Sequence, residues 1–594
     1  MHGRRYVGRT DLLERIAAAL GDDAQPPVVV LHGPPGVGKS ELAREYARRH
    51  AARYPGGRYF LDATGGMPGG LAAIGRNRFG AEFPGDRPIP EQCEWTVHRL
   101  CAEETLLIFD NAASPDAIRP WLPPSGAPCH AIVTSLFERW QGWPAWPVPP
   151  LSAAESRDLV AGIAGEAAAS RHGDALVAAF GGLPVQLVPA SAVLAKAVGR
   201  DRPISSALGI GEDLQRSYGA AYGLLAPDAQ LLLHAAAMRN CQRIDRDALA
   251  RDMADGAGWG EERFLDHLDA CQDLHLMEGG ATLRMHQLYA AHLLRRAAPE
   301  GREADLARIR TAQKDRMIAI AAELADAPAR SDLADDLQGF AIAPDVWSDI
   351  DLSWRDYHIL GRALLEVGQF PAALSWCQRA VAAAESGGID GIVDQSSLGM
   401  SLHLVGICLS QQGQYDEAMC WYRRAVTAKE EGDIHGRIDQ ESLGRSLHEV
   451  GRCLSRQGRY DEALSWYQRA VTAAETGDIH GRVDQESLGR SLHEVGFCLS
   501  QQGQYDEAMP WYQRAVTAKE QGDIHCRVDQ GSLGRSLHQI GYCLSQQERY
   551  GEAMSWFDRA VAAAGKGDIH GRVDDALLAS FRQSAAFCRS KLSE

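Results

Sequence analysis

Three absences in the 594-residue sequence exclude whole classes of protein before any motif is read. No apolar run approaches the roughly 18 residues that a membrane-spanning helix needs, and the first thirty residues lack the basic, apolar and small-residue order of a secretory signal. The expected location is therefore the cytoplasm. None of the 13 cysteines forms a CxxC pair, which removes the usual zinc or disulfide framework. Nor is there any basic excess: 61 Lys and Arg stand against 78 Asp and Glu, a net charge of -17, so broad electrostatic binding to nucleic acid or anionic membrane is not expected. What remains is an acidic globular chain, 45% hydrophobic and 23% charged, too apolar to be disordered. Its length implies roughly four domains at about 150 residues each.

Four of the cysteines, Cys408, Cys453, Cys498 and Cys543, recur 45 residues apart and read as buried thiols copied with their element. Phe370, Tyr415, Tyr460, Tyr505 and Tyr550 recur with them, as do Gly361, Gly406, Gly451, Gly496 and Gly541. Each unit reads as two helices. The first, as over 442–457, sets Leu447, Val450 and Leu454 at helical spacing, and Gly458 supplies a left-handed turn. The second is expected to start at a capping Asp461 and to carry Ala463, Tyr467 and Ala470 on one face. Gly406, Ala418, Tyr422 and Ala425 carry a resemblance to the tetratricopeptide repeat, covering residues 356–594. The usual period is about 34, so about eleven residues are extra, in the Gly- and Asp-rich "GDIHGRVDQES" connection. About seven stacked pairs are expected, with a continuous concave surface for an extended ligand.

Upstream, "VVVLHG", "RYFLDA", "TLLIFD" and "HAIVTS" alternate with helical or loop segments, the pattern of a parallel α/β sheet. Gly33, Pro34, Pro35, Gly36, Val37, Gly38, Lys39 and Ser40 spell GxxxxGK[ST] between an apolar strand and a helix. That context fits a phosphate cradle of backbone N–H groups, with Lys39 on the β/γ oxygens and the Ser40 hydroxyl in a magnesium shell. Asp110, closing "TLLIFD", is the expected carboxylate for the metal; its alternative is a turn former. Asn111 follows where a second acid would polarise water, and an amide cannot act as a base. Lys39, Asp110 and Asn111 are thus the expected catalytic positions of a slow ATPase using ATP/ADP and Mg2+.

"RYVGRTDLLERI", the phosphate loop, "LLIFDNA", "IVTS", "GGLPV" at 181–185 and "RMHQL" at 284–288 come in an order that resembles STAND-class signalling ATPases of the NB-ARC branch. The resemblance covers about residues 5–295. It implies a P-loop domain over 1–151, a helical domain over 152–218 and a winged helix over 219–300; a helical linker over 301–355 and the repeats over 356–594 complete a multidomain α/β plus all-α solenoid architecture. It further implies that Val7, Gly8 and Arg9 lie against adenine, that Pro184 packs on base or ribose, and that His286 contacts the ADP β-phosphate. A helix-start proline and a satisfied core histidine are the plainer readings of the last two. Two positions depart from the family: Leu136 stands where an Arg senses the γ-phosphate, with Arg139 nearest, and Gln287 replaces the acid of the "MHD" triplet.

Where near-identical copies differ, packing is not dictating the residue. Ile407, Arg452, Phe497 and Tyr542, following each first-helix Gly, are therefore expected to face the groove, either reading a ligand or drifting at an exposed site. His403, His448, His493 and His538, with Arg445, Arg490 and Arg535 three residues earlier, read as a polar stripe along it. Asp433, His435 and Asp439 recur in the connections; caps and turns explain them better than a metal.

Taken together, the sequence points to an ADP/ATP-controlled sensor switch whose repeats bind a protein or peptide. It is expected to be a monomer with ADP and a homo-oligomer with ATP, and to signal to a separate effector, because the ATPase motif starts near Met1 and the chain ends in a repeat. The family resemblance implies bacterial antiphage defence. The alternatives are a STAND-class transcriptional regulator, disfavoured by the mixed, acid-rich charge of residues 240–270, and a repeat scaffold with a vestigial ATPase.

Overall fold

A computed structural model describes residues 6–21, 27–63, 67–81, 89–112, 114–140, 142–198, 214–326, 352–387, 393–523, 525–567 and 573–593, with scattered positions between 333 and 347. The chain divides into two compact units. Met1–Gly80, Ile89–Asp351 and Glu366–Ala372 make the first; Ala81–Pro88, Leu352–Leu365 and Ala373–Glu594 make the second.

The first unit opens with helix α1 (Thr10–Ala19) and strand β1 (Val28–His32), followed by α2 (Lys39–Arg49), β2 (Gly57–Asp62), α3 (Met67–Phe79), α4 (Ile89–Cys101), β3 (Thr105–Ala112), β4 (His130–Ser135) and β5 (Ala145–Pro147). The strands form one parallel sheet in the order β2-β3-β4-β1-β5. Continuous apolar strands suit a sheet buried on both faces, because successive side chains point to opposite sides. Val28, Val30, Leu107 and Phe109 join Leu71, Val97 and Leu100 of α3 and α4 in one core. Val29, Leu31, Leu106 and Ile108 join Leu12, Ile16, Leu42 and Tyr46 of α1 and α2 in the other.

Three helices follow, Ala153–Ala164, Glu166–Phe180 and Pro184–Val198, the first closed by a Ser152–Glu155 capping box. Helices Pro227–Ala237, Arg246–Ala257, Glu261–Asp273 and Gln287–Arg295 then surround a small antiparallel sheet of β6 (Ile244–Asp245), β7 (Glu278–Gly279) and β8 (Thr282–Arg284), ordered β6-β8-β7. One apolar core runs through all of these helices, from Val160 to Ile309. Helix Glu303–Asp326 belongs with them. Its Gln313 donates to Asp252 at 2.7 Å, and Arg239 reaches the same fully buried carboxylate through two bonds of 2.6 and 2.8 Å.

The second unit holds five helix pairs and a closing helix, Asp575–Ser593, among the described residues, not the seven expected. The 45-residue recurrence itself leaves room for only about five pairs over 356–594. Two 17-residue helices, such as Gln440–Arg456 and Tyr460–Thr476, account for the extra length together with an ordered connection. The expected cap at Asp461 is also corrected. Tyr460 is already helical, Arg459 stands at the cap without a side-chain bond, and Asp461 lies in the first turn, where it accepts from Gln502 of the next repeat at 2.8 Å. The first helix of the pair is the one with a side-chain cap, Asp439, which accepts from Ser442 N at 3.0 Å. Gly451 is required by close approach, since a Cβ there would lie 2.8 Å from the Tyr467 ring. Gly458 turns the chain at φ 74° as expected, and Cys408, Cys453, Cys498 and Cys543 are buried free thiols.

The connections are stapled turns. Asp433 Oδ1 accepts from the backbone N–H groups of His435 and Arg437, both at 2.9 Å, and Arg437 Nε donates to Oδ2 at 2.8 Å. The Asp433 carboxylate is thus fully engaged. No cluster of metal-binding side chains occurs among the described residues, and no described helix is long and apolar enough to cross a membrane.

Candidate functional site

The phosphate loop lies between β1 and α2, with Gly33, Gly36 and Gly38 at φ 149°, 75° and 97°. These conformations turn successive N–H groups inward, and side chains rarely adopt them. Lys39 opens α2 and folds back over the loop, donating from Nζ to Gly33 O at 2.8 Å and Pro34 O at 3.0 Å. Burial lowers its pKa, opposed by the charge of Asp110. The ammonium thus sits across a cradle of glycine backbone, where an anion would replace carbonyl partners with stronger charged ones.

Asp110 ends the buried part of β3. Its Oδ1 accepts from Ser40 Oγ and from Thr134 Oγ1 of β4, each at 2.6 Å. This arrangement depends on sheet order: β4 lies between β1 and β3 and carries Thr134 as the bridge. A carboxylate and a hydroxyl meeting beside the phosphate loop are the oxygen donors that a magnesium shell takes, so the residues fit that ion. Asn111 adopts φ 63°, and its backbone N–H donates to Thr134 Oγ1 at 2.9 Å.

Two segments distant in sequence reach the loop, and His286 lies apart from it. Arg9 is buried, and its Nη2 donates to Val37 O at 2.6 Å and Pro149 O at 3.0 Å, while its backbone N–H reaches Glu155 Oε1 at 2.7 Å. Its guanidinium braces the loop backbone; Val7 and Gly8 beside it are half-buried. Pro184 starts a helix, and it also neighbours the loop. A Cβ on Gly38 would stand 3.7 Å from Pro184 Cγ, and one on Gly36 would collide with Val185 at 2.3 Å. His286 caps helix Gln287–Arg295, its Nδ1 accepting from Leu288 N at 3.3 Å. The ring is open to solvent on one side but closely walled by protein, which lowers its pKa; the Glu41 carboxylate, next to Ser40, opposes that shift. Gln287 is the first residue of that helix, and Leu136 and Arg139 are exposed after β4.

In the array, the histidines occupy one column. His403, His448 and His493 each bond through Nδ1 to a serine of the next repeat, Ser446, Ser491 and Ser536, at 3.0, 3.1 and 3.0 Å, and His538 Nε2 bonds Ser584 at 2.9 Å. His358, one period before His403, repeats the contact with Ser401 at 3.3 Å. It was missed in the sequence, although the 45-residue offset could have found it. The rings pack against Tyr422, Tyr467, Tyr512 and Phe557 at 5.0 to 5.3 Å between centroids. A cleft of about 100 Å³ between the second and third repeats is lined by His403, His448, Arg445, Arg490, Glu441 and Glu449. The variable column beside it is half-buried at Ile407, Arg452 and Phe497 and more open at Tyr542. Arg452 pairs with Glu449 (Nε to Oε2 2.8 Å), while Phe497 and Tyr542 meet the edges of Tyr460 and Tyr505. Arg535 stands in the same column as Arg445 and Arg490.

Two buried lysines were also missed. Lys429 donates from Nζ to Ser442 O at 2.9 Å and Ser446 Oγ at 2.8 Å, and Lys519 donates to Ser532 O at 3.1 Å; alanine takes the equivalent place at Ala474. Burial brings their pKa values down to about 7 and about 8. Burial likewise depresses the histidines, to about 4 at His358, His448 and His538 and well below the usual value at His403 and His493. Both depressions act in one direction. The unfolded chain binds more protons between pH 4 and 6.5 through histidine, and between about 7 and 10.5 through lysine, so array stability rises with pH in both windows. Thermal unfolding of the array from pH 7 to pH 5 is expected to show a falling midpoint, each half-buried histidine removing up to about 1.4 kcal/mol per pH unit below 6.5. A flat profile would contradict the burial of the ladder.

Residues 5–184 match the family model of the AAA ATPase domain. Residues 356–431, 446–478, 489–521 and 534–566 match models of the tetratricopeptide repeat. No curated protein matches the chain. Among solved structures, it is similar to a Signal Transduction ATPase with Numerous Domains (STAND) protein with a tetratricopeptide repeat sensor from Pyrococcus horikoshii, at 15% identity over 100% of this chain and 86% of that one, TM-score 0.43. The repeats are similar to BtubC of P. vanneervenii, at 16% identity over 42% and 90% of the two chains, TM-score 0.31. They also resemble MamA of Desulfovibrio magneticus RS-1, at 15% identity over 35% and 94%, TM-score 0.26. The chain carries an AAA ATPase domain followed by C-terminal tetratricopeptide repeats.

Proposed function

We propose that the protein is a sensor switch of the NB-ARC type, closed around ADP and opened when its repeats engage a protein or peptide. The observation that carries this reading is the convergence on one phosphate loop of Arg9 and of Pro184 with Val185. A loop contacted by a helix some 150 residues away can change its packing when its ligand changes, which is the differential binding a two-state switch requires. Lys39 and the loop amides would hold the phosphates, and Ser40 and Asp110 the Mg2+, which neutralises phosphate charge when bound. With an amide at Asn111 and no acid there to activate water, hydrolysis is slow and nucleotide exchange sets the state.

In the winged-helix reading, helix Glu261–Asp273 is the one that would meet DNA. It carries Glu261, Glu262, Asp266, Asp269 and Asp273 against a single Arg263, and that charge repels DNA. The output is ATP-dependent self-association and contact with a separate effector, in a cytoplasmic antiphage pathway. Full-length protein loaded with ADP or ATP is expected to differ in size by light scattering and in protease sensitivity, the ATP form being larger. Identical behaviour in the two states, with nucleotide bound in both, would sink the switch.

A further inference from the structure

The face of the sheet that α1 and α2 cover is not covered out to its edge. Strand β2 is outermost; Leu61 and Tyr59 enter the core under α3 and α4, so Arg58 and Phe60 point to the α2 side. There Phe60 remains 43% exposed, with the Arg44 guanidinium 5.4 Å above its ring. It forms part of a cleft of about 470 Å³ walled by Arg44, Arg48 and Arg58. Residues 41–58 hold five arginines and two glutamates, a local basic excess in a chain of net charge -17, with Arg44 paired to Glu41 and Arg48 to Glu45.

The same unit carries the complementary surface. Helix Glu261–Asp273 buries Phe264, Leu268 and Cys271 and turns Glu262, Leu265, Asp266, Asp269 and Asp273 outward. Leu265 is 38% exposed in the middle of that acidic stripe. The helix thus presents an apolar centre amid mostly acidic side chains, with a single Arg263, and the cleft presents an aromatic centre amid arginines. Interfaces are built this way, with a desolvated apolar core and a polar rim that sets orientation.

We propose that helix Glu261–Asp273 of a second copy docks in the α2–β2 cleft, Leu265 against Phe60 and its carboxylates against Arg44, Arg48 and Arg58. This rests on the reading that the chain self-associates, and it specifies how. The two surfaces differ, so the contact is head-to-tail and propagates into a ring or a filament. It weakens with salt. It also gives the acidic helix a use other than reading DNA.

Charge reversal on full-length protein tests it, with sedimentation velocity at several protein concentrations, ADP- and ATP-loaded. R48E/R58E and D266K/D269K are each expected to weaken self-association at least about tenfold, and the chain carrying all four changes is expected to recover it. Retained nucleotide binding and an unchanged thermal midpoint show that each variant is folded. Wild-type protein that assembles while both reversals assemble equally well would overturn the docking and leave the switch standing; so would a four-change chain that fails to recover. A wild type that stays single with both nucleotides would remove the self-association reading and the docking together. A single chain that binds polyglutamate peptide through Arg48 and Arg58 would assign the cleft to a foreign acidic partner.

Discussion

Replacing Lys39 with alanine is expected to abolish useful nucleotide binding, lowering affinity for ATP and ADP by at least about 100-fold, or about 2.7 kcal/mol. The side chain spans the loop from Gly33 O to Pro34 O, so its removal takes away the ammonium that lies across the cradle and leaves Arg9, which is already engaged with Val37 O. Hydrogen bonds to charged groups contribute about 1.5–3 kcal/mol each, and a phosphate held by Lys39 makes more than one. The fold should survive, because Lys39 bonds only loop carbonyls and Asp110 keeps its partners Ser40 and Thr134. Calorimetric titration of full-length protein with ADP checks this, alongside a thermal melt without nucleotide. Wild-type affinity in the variant would remove the nucleotide assignment and leave the vestigial ATPase as the better reading.

Asp252→Ala is expected to cause the largest loss of stability in the first unit, about 3–5 kcal/mol. The carboxylate is fully buried and accepts from Arg239 twice, from Gln313 and from Arg316. Alanine leaves the Arg239 guanidinium buried without its counter-charge, stacked over Phe340 at 4.5 Å from the ring centroid. Against a typical stability of about 5–15 kcal/mol, this is enough to unfold much of the unit near body temperature. A paired change, Arg239→Met with Asp252→Leu, removes both charges and is expected to recover most of the loss, since well-packed apolar replacements of a buried pair are often neutral. Urea unfolding of the three proteins decides it. A single variant losing less than about 1 kcal/mol would show that Arg239 finds solvent or another acid.

The phosphate loop was legible because its chemistry is local: eight consecutive residues set both the backbone shape and the lysine. The repeats were legible because duplication prints the same contacts again. Two things went wrong. The pair count followed from the 45-residue period already visible, which leaves room for about five over 356–594, and the start of the second helix was set by packing, where Tyr460 is already helical and Asp461 binds Gln502 of the next repeat. The stripe of histidines was visible, yet its serine partners lie 43 to 46 residues away, and the lysines beneath it resembled surface residues. Nothing local marks Asp252 as the centre of a buried network, because its partners come from separate helices.

By itself the sequence determined an acidic chain with no long apolar run, a nucleotide-type loop on a parallel sheet, and a solenoid copied from one 45-residue unit. Each follows from interactions within a few residues or from exact repetition. The tertiary structure decided what sits beside the loop: Thr134 as the bridge to Asp110, Arg9 as a brace, and Pro184 as a distant neighbour. It also decided that Phe60 and Leu265 stay uncovered amid opposite charges. Strand order and helix placement are global minima of burial, and a pattern that reports only which residues avoid water does not report which of them meet.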